Sequence, residues 1–160
     1  MLNLKSSLQD IAFAAVVSFS GASNAKATFN AEHNNIVKTV NSYFKGIAES
    51  DEGLIAQAFE LENGHIKSIV TDKETGKQSI RSQKLGDFAK IFKQPTKDHW
   101  QAHILSIDVV DEQMAMVKLN FETSKTHYID YLVLYKFNDA WKIVNKTFVS
   151  KPRTWALWWQ

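Results

Sequence analysis

One carboxylate in this chain is conspicuous for its neighbours. Residues 126–137 (THYIDYLVLYKF) alternate so that Tyr128, Asp130, Leu132 and Leu134 share one face. Ile129, Tyr131, Val133, Tyr135 and Phe137 share the other. Both faces are largely apolar, so the strand reads as covered on both sides. An acid placed there must be hydrogen-bonded, ion-paired or protonated. Such a group suits a polar anchor in an apolar site; the blander reading is a solvated rim position or a pairing with a nearby lysine. Lys146 is a candidate partner, although alternation sets it opposite Trp141, Ile143 and Asn145. Lys118 lies opposite the apolar row Ala115, Val117, Leu119 and Phe121, and reads as an outer-face charge.

The remaining titratable residues offer less. His65 could act as a base, because imidazole titrates near neutral pH. In its strand, however, Ile66, Ser68 and Val70 form the more core-like face, which turns His65, Lys67 and Ile69 toward solvent. His99 and His103 bracket Trp100 at a strand's start, where four residues span ~13 Å, too far for one ion. With no carboxylate at a useful spacing, no metal site is expected. The absence of cysteine excludes a thiolate metal site, a cysteine nucleophile and a disulfide framework. No glycine-rich phosphate loop or Gly-x-Ser-x-Gly elbow is present. The motifs therefore assign no catalytic residue and no cofactor.

The elements that must position Asp130 follow from periodicity. Between residues 30 and 49, Ile36, Val37, Val40, Tyr43, Phe44 and Ile47 form one helical stripe. Ser50 or Asp51 then caps a shorter helix carrying Leu54, Ile55, Ala58 and Phe59. Residues 64–71 and 77–81 read as a hairpin around a polar turn. Ser82 is expected to cap a third helix with Leu85, Phe88, Ala89 and Phe92 on one face, stopped at Pro95. After Pro95 the period becomes two: residues 100–110, 113–123, 126–137 and 140–150 read as four strands with tight polar turns, hence antiparallel neighbours. The expected architecture is α+β, with three N-terminal helices packed on a curved antiparallel sheet.

At 160 residues the chain is one domain's worth, and a formal charge of +2 argues against a nucleic-acid partner driven by bulk charge. Residues 1–27 read as a secretory signal peptide: a polar lead, a twelve-residue apolar run at 11–22, then small residues at Ser23, Ala25 and Ala27. That run is too short for a stable membrane span. Removing it leaves 17 basic and 16 acidic residues on an exported, periplasmic domain at 28–151. Residues 152–160 form a tryptophan-rich tail, with Trp155, Trp158 and Trp159 at i, i+3, i+4. Packing on the sheet or across a dimer, a lid over a pocket, and membrane-interface contact are the three readings of that tail.

Three runs carry a family resemblance: IVKTVNSYFKGIAESDEGLIAQAF at 36–59, ILSIDVVDEQMAMVKLNF at 104–121 and IDYLVLYKFNDAWKIVNKTF at 129–148. Together they resemble the nuclear transport factor 2-like superfamily, and within it a bacterial lumazine-binding-like group related to SnoaL-like cyclases and ketosteroid isomerases. The resemblance covers about residues 30–151 and implies a cone-shaped, cystatin-like fold with a pocket at its open end. Ketosteroid isomerases place a tyrosine on the first helix, an acid in the strand that holds Asp130, and a carboxylate base after the second helix. Tyr43, eight residues before Asp51, and Asp130 match the first two. The base position holds Lys67, with His65 two residues earlier and Glu60 and Glu62 out of register.

The resemblance thus implies a ligand site of Tyr43, Asp130, Tyr128 and Leu132, walled by Val40, Phe44, Phe59, Phe88 and Phe92. The expected ligand is small and partly apolar or aromatic, and the expected function is non-catalytic binding. An isomerase, dehydratase or cyclase using Tyr43 and Asp130, and a structural dimer module, are the alternatives. The apolar row from Ile129 to Phe137 is expected to form a homodimer face. Mass analysis of the native protein should find a chain starting near residue 26 or 28; an intact amino terminus would refute the leader.

Overall fold

A computed structural model describes residues 20–153. Residues 1–19 of the expected leader at 1–27, and the tail tryptophans Trp155, Trp158 and Trp159, lie outside the described residues. The first helix, α1 (Ser20–Glu49), buries Ile36, Val40, Tyr43 and Ile47 at intervals of three and four residues, the spacing that keeps one face against a sheet. Ser50 then takes a left-handed φ of 59°, which ends the helix. Asp51 starts α2 (Glu52–Ala58) by accepting a 2.9 Å hydrogen bond from the Leu54 amide. The two helices touch at Gly46, where a Cβ would lie 2.9 Å from Ile55 Cγ1.

Six strands form one sheet: β1 (His65–Thr71), β2 (Gln78–Lys84), β3 (Gln101–Val110), β4 (Met114–Glu122), β5 (Thr126–Phe137) and β6 (Ala140–Pro152), in the order β2-β1-β6-β5-β4-β3. The turns at Asp111-Glu112 and Asn138-Asp139 hold both residues at positive φ, as type I′ hairpins require. Inward-facing Ala115, Val117, Leu119, Leu132, Leu134, Trp141 and Ile143 meet the α1 stripe in the core.

Three expectations need correction. Ser82 caps no helix: it lies in β2 opposite Lys67, because the hairpin with β1 keeps its register as far as Lys84. The third helix, α3 (Leu85–Ala89), is five residues long and has no side-chain cap. It follows the hairpin, so the described helices are not one N-terminal group, and α1 alone is long. The sheet is not wholly antiparallel either, since β1 runs parallel to β6 from His65↔Asn145 to Ser68↔Phe148. The chain leaving α2 bridges Phe59 to Ile143 and so reaches β6's free edge in β6's own direction. The rest of the domain intervenes between the two strands, ample for a parallel connection.

Two bulges interrupt the strict alternation expected for the strands. Between Ile104 and Ser106 the pairing with β4 slips, leaving Leu105 extra. Between Val133 and Leu134 it slips against β6, leaving Val144 extra. The first keeps Ile104 and Ile107, and the second Ile143 and Lys146, three apart on the inner face, and each bends its strand, which curves the sheet around α1.

A buried polar cluster ties α1 to the closed end. Glu32 accepts from the Trp141 indole at 2.6 Å and from Lys136 Nζ at 2.8 Å. Those bonds, Lys136 first, hold the Glu32 carboxyl below its ordinary value, and the Glu32 bond raises Lys136 above its own. A lowered carboxyl contributes stability present above its unfolded value and lost as pH falls through the folded one; a raised lysine contributes stability lost only as pH rises through its folded value. Denaturant unfolding should therefore find Glu32→Gln less stable than wild type near pH 7. The gap should narrow on acidification below the ordinary carboxylate range, and a gap unchanged by acid would contradict the assignment.

Candidate functional site

The Val144 bulge decides which way Lys146 points. With unbroken alternation from Trp141 and Ile143, Lys146 would face outward; the extra residue returns it to the inner face, paired across the ladder with Leu132. There it meets Asp130. Lys146 Nζ donates to Asp130 Oδ2, and the Tyr43 hydroxyl donates to the same oxygen at 3.3 Å. Asp130 is 0% exposed, Tyr43 2% and Lys146 4%, so this triad is wholly buried between α1 and the sheet. Asp130 Oδ1 is buried and has no hydrogen-bond partner among the described residues.

Burial dominates the electrostatics. Loss of water holds the Lys146 ammonium below the usual lysine range, despite the opposing pull of Asp130. Burial, then the Asp130 charge, pushes the Tyr43 phenol well above its ordinary value, so it stays a donor. Lys146 also sits 4.7 Å from the Phe148 ring centroid and 5.7 Å from that of Tyr43, where the ring faces attract a cation.

Aromatic rings continue outward from this triad. Tyr43 touches Phe59 (centroids 5.1 Å apart), which leads through Phe88 and Phe92 to Trp100. Trp100 touches Phe121, and Phe121 leads through Tyr128 to Phe148. Lys146, over both Phe148 and Tyr43, closes the circuit. Phe88, Phe92, Trp100, Tyr128 and Phe148 are half-buried, so these rings keep part of their surface open. Phe44 is also half-buried and meets Phe121 edge-on at 5.8 Å.

The structure brings Tyr43 and Asp130 together, as the resemblance implies, and sets Phe59 against Tyr43, with Phe88 and Phe92 further along the circuit and Tyr128 on the same inner strand face as Asp130. Val40 and Leu132 lie within the closed core at 1% and 0% exposure. Four members fell outside the expected site: Lys146, Trp100, Phe121 and Phe148. Lys146 was set on the wrong face by simple alternation, whereas Trp100 and Phe148 carried no signal beyond their aromatic character. The interval of three between Ile143 and Lys146, where two is normal, is the trace of the bulge that a sequence reading could have used.

The other candidates stand apart. Ile66 is the buried residue of β1, and alternation sends His65 and Lys67 to the opposite face. Glu60 accepts from the Glu62 and Asn63 amides and shapes a turn. His99 contacts the neighbouring Gln101 side chain. Among the described residues no three His, Cys, Asp or Glu side chains gather as metal ligands, and no helix is long and apolar enough to cross a membrane.

A curved sheet wrapped on helices is the fold of the nuclear transport factor 2-like proteins, and comparison with solved structures agrees. The chain is similar to a nuclear transport factor 2-like protein of unknown function from Shewanella baltica OS155 (TM-score 0.65, 19% identity, covering 78% of this chain and 98% of that one). It is also similar to a ketosteroid isomerase-like protein from Erwinia carotovora atroseptica SCRI1043 (TM-score 0.54, 12% identity, 75% and 96% covered). A cystatin-like fold protein from Burkholderia xenovorans LB400 matches as well (TM-score 0.54, 13% identity, 72% and 90% covered). The model of the family described as "Putative lumazine-binding" matches residues 31–149, and the chain belongs to that family. No functionally curated protein matches it.

Because a buried ion pair that loses one member leaves the other charge stranded, Lys146→Met should destabilise the fold by about 3–5 kcal/mol. Asp130→Leu combined with Lys146→Met, which removes both charges, should recover most of that loss. Denaturant unfolding measures both; a Lys146→Met variant as stable as wild type would show that the pair is not desolvated.

Proposed function

We propose that this protein is an exported, non-catalytic binder of a small, partly apolar or aromatic molecule, held at the open end of the cone. The observation that carries the reading is the Asp130–Lys146–Tyr43 triad buried at the foot of a circuit of half-open aromatic rings. Aromatic faces provide sequence-tolerant contact area, and a few fixed polar groups orient the guest, the usual composition of a small-molecule site. The family's name, which concerns lumazine binding, agrees with a small ligand.

The triad argues for binding over turnover. A general base needs a free lone pair near neutral pH and a route for its proton. Asp130 has no exposed surface through which a transferred proton could leave, and His65 is on the other face of β1. Likeness to a ketosteroid isomerase-like protein lends a fold and not a reaction.

We also assign the outer sheet face to a second copy of the chain. Tyr131, Tyr135, Phe137, Ile69, Ile80 and Val149 remain exposed there, and a groove of about 270 Å³ runs between Ile80 and Tyr131. An apolar face of this kind is costly to leave in water. Native mass spectrometry of protein taken from its own host should record a dimer carrying a non-covalent small-molecule adduct, and Trp100→Ala should reduce the adduct tenfold or more. A bare monomer, or an adduct indifferent to Trp100→Ala, would contradict the reading.

A further inference from the structure

The outer face of the sheet is not continuous. The parallel ladder between β1 and β6 ends at Ser68↔Phe148, although β1 continues to Thr71 and β6 to Pro152. The groove of about 270 Å³ opens where that ladder stops, between Ile69 of β1 and Val149 of β6. Ile80, Ile69, Val149 and Tyr131 line it, and all four are exposed. Single exposed apolar side chains are ordinary on a protein surface, whereas four around one cavity mark a surface that something covers. We propose that residues 154–160 of the same chain (TWALWWQ) fold back over the end of β6 and fill this groove with indole side chains.

Reach selects this occupant. The outer row of β6 runs through Val149, Lys151 and Arg153, and Arg153, the last described residue, pairs with Glu122 in the outer row of β4 at 3.1 Å. The chain thus leaves β6 on the groove's side of the sheet. Val149 lies four residues back along the strand, roughly 13 Å, and seven extended residues span at most about 25 Å. A tight turn takes two of them, so the remainder returns as far as Val149 and brings Trp158 and Trp159 to the groove. A tether this short gives an effective concentration on the order of millimolar, above that of a second copy in dilute solution.

Chemistry selects it as well. The segment holds three tryptophans and no charged residue, which suits an apolar cavity. Lys67, also in the groove's lining, offers a cation to an indole face. The inner aromatic rings are the poorer target: reaching them means crossing the end of the sheet, and Tyr128 already packs between Phe121 and Phe148. Tyr135 and Phe137, toward the far end of β5, stay uncovered. The tail and the second copy assigned to this face therefore occupy different parts of it.

The chain has no cysteine, so a disulfide can be placed where contact is expected. In dilute full-length protein, Ile69→Cys combined with Trp158→Cys, or with Trp159→Cys, should close within one molecule about tenfold faster than Met116→Cys combined with the same tail cysteine. Met116 is also exposed but lies on β4, outside the groove. Closure no faster than this control would overturn the inference. So would disulfides joining two molecules, which mean that the groove takes the tail of a second copy, or faster closure onto Trp100→Cys, which means a lid over the inner rings. A chain ended after Arg153 gives an independent reading. Shortening should raise the fluorescence of the apolar-surface dye 1-anilinonaphthalene-8-sulfonate about threefold, and Ile69→Glu in the shortened chain should abolish that gain. No gain on shortening, or a gain indifferent to Ile69→Glu, would equally overturn it.

Discussion

A carboxylate and an ammonium removed from water must find each other, and in this fold three separate elements are arranged so that they do. Asp130 comes from β5, Lys146 from β6 and Tyr43 from α1. Each alone would be costly where it sits; together they satisfy most of one another's needs. A slip of one residue in the β5–β6 register would send Lys146 outward and leave Asp130 stranded, so the pair also specifies the register. The single need left unmet, at Asp130 Oδ1, faces the question of function.

The curvature of the sheet has the same origin as the placement of Lys146. A flat sheet could not wrap a helix, and the bulges at Leu105 and Val144 bend two strands that would otherwise run straight. At the closed end, Glu32 holds Trp141 and Lys136, and Thr39 donates to the Trp141 carbonyl at 3.3 Å, which anchors α1 against the start of β6. Lys142 donates to the carbonyls of Ala56 and Gln57 at the end of α2, a favourable place for a cation. Polar bonds at that end and aromatic contacts at the other leave the interior between them tightly packed.

In the proposed reading, a few side chains separate binding from catalysis on this fold. A tyrosine and an acid in the interior are what the ketosteroid isomerase resemblance implies, and both are present and in contact. The third participant differs. Where that resemblance calls for a carboxylate base, this chain has Lys67, on the strand face opposite the buried Ile66. A lysine the resemblance does not call for, Lys146, is bound to the acid. A carboxylate tied to an ammonium and sealed from solvent has no route for a transferred proton yet can still accept hydrogen bonds, and that distinction carries the proposed role.

Much of this was legible before any coordinates. The period-four stripe from Ile36 to Ile47, the Asp51 cap, the three tight turns and the alternation of β5 all follow from local rules, because each depends on residues within a few positions of one another. Asp130 was conspicuous for the same reason: an acid between apolar neighbours signals its own burial. What local rules could not supply were the interactions between distant segments. Ser82 reads as a helix cap until β1 claims it as a strand partner, and β1 reads as half of an isolated hairpin until β6 accepts it in parallel. Lys146 reads as outward-facing until one extra residue at Val144 turns it in. Alternation is a property of a strand by itself, whereas a bulge is a property of a pair, so the partner of Asp130 was decided only when β5 and β6 came together.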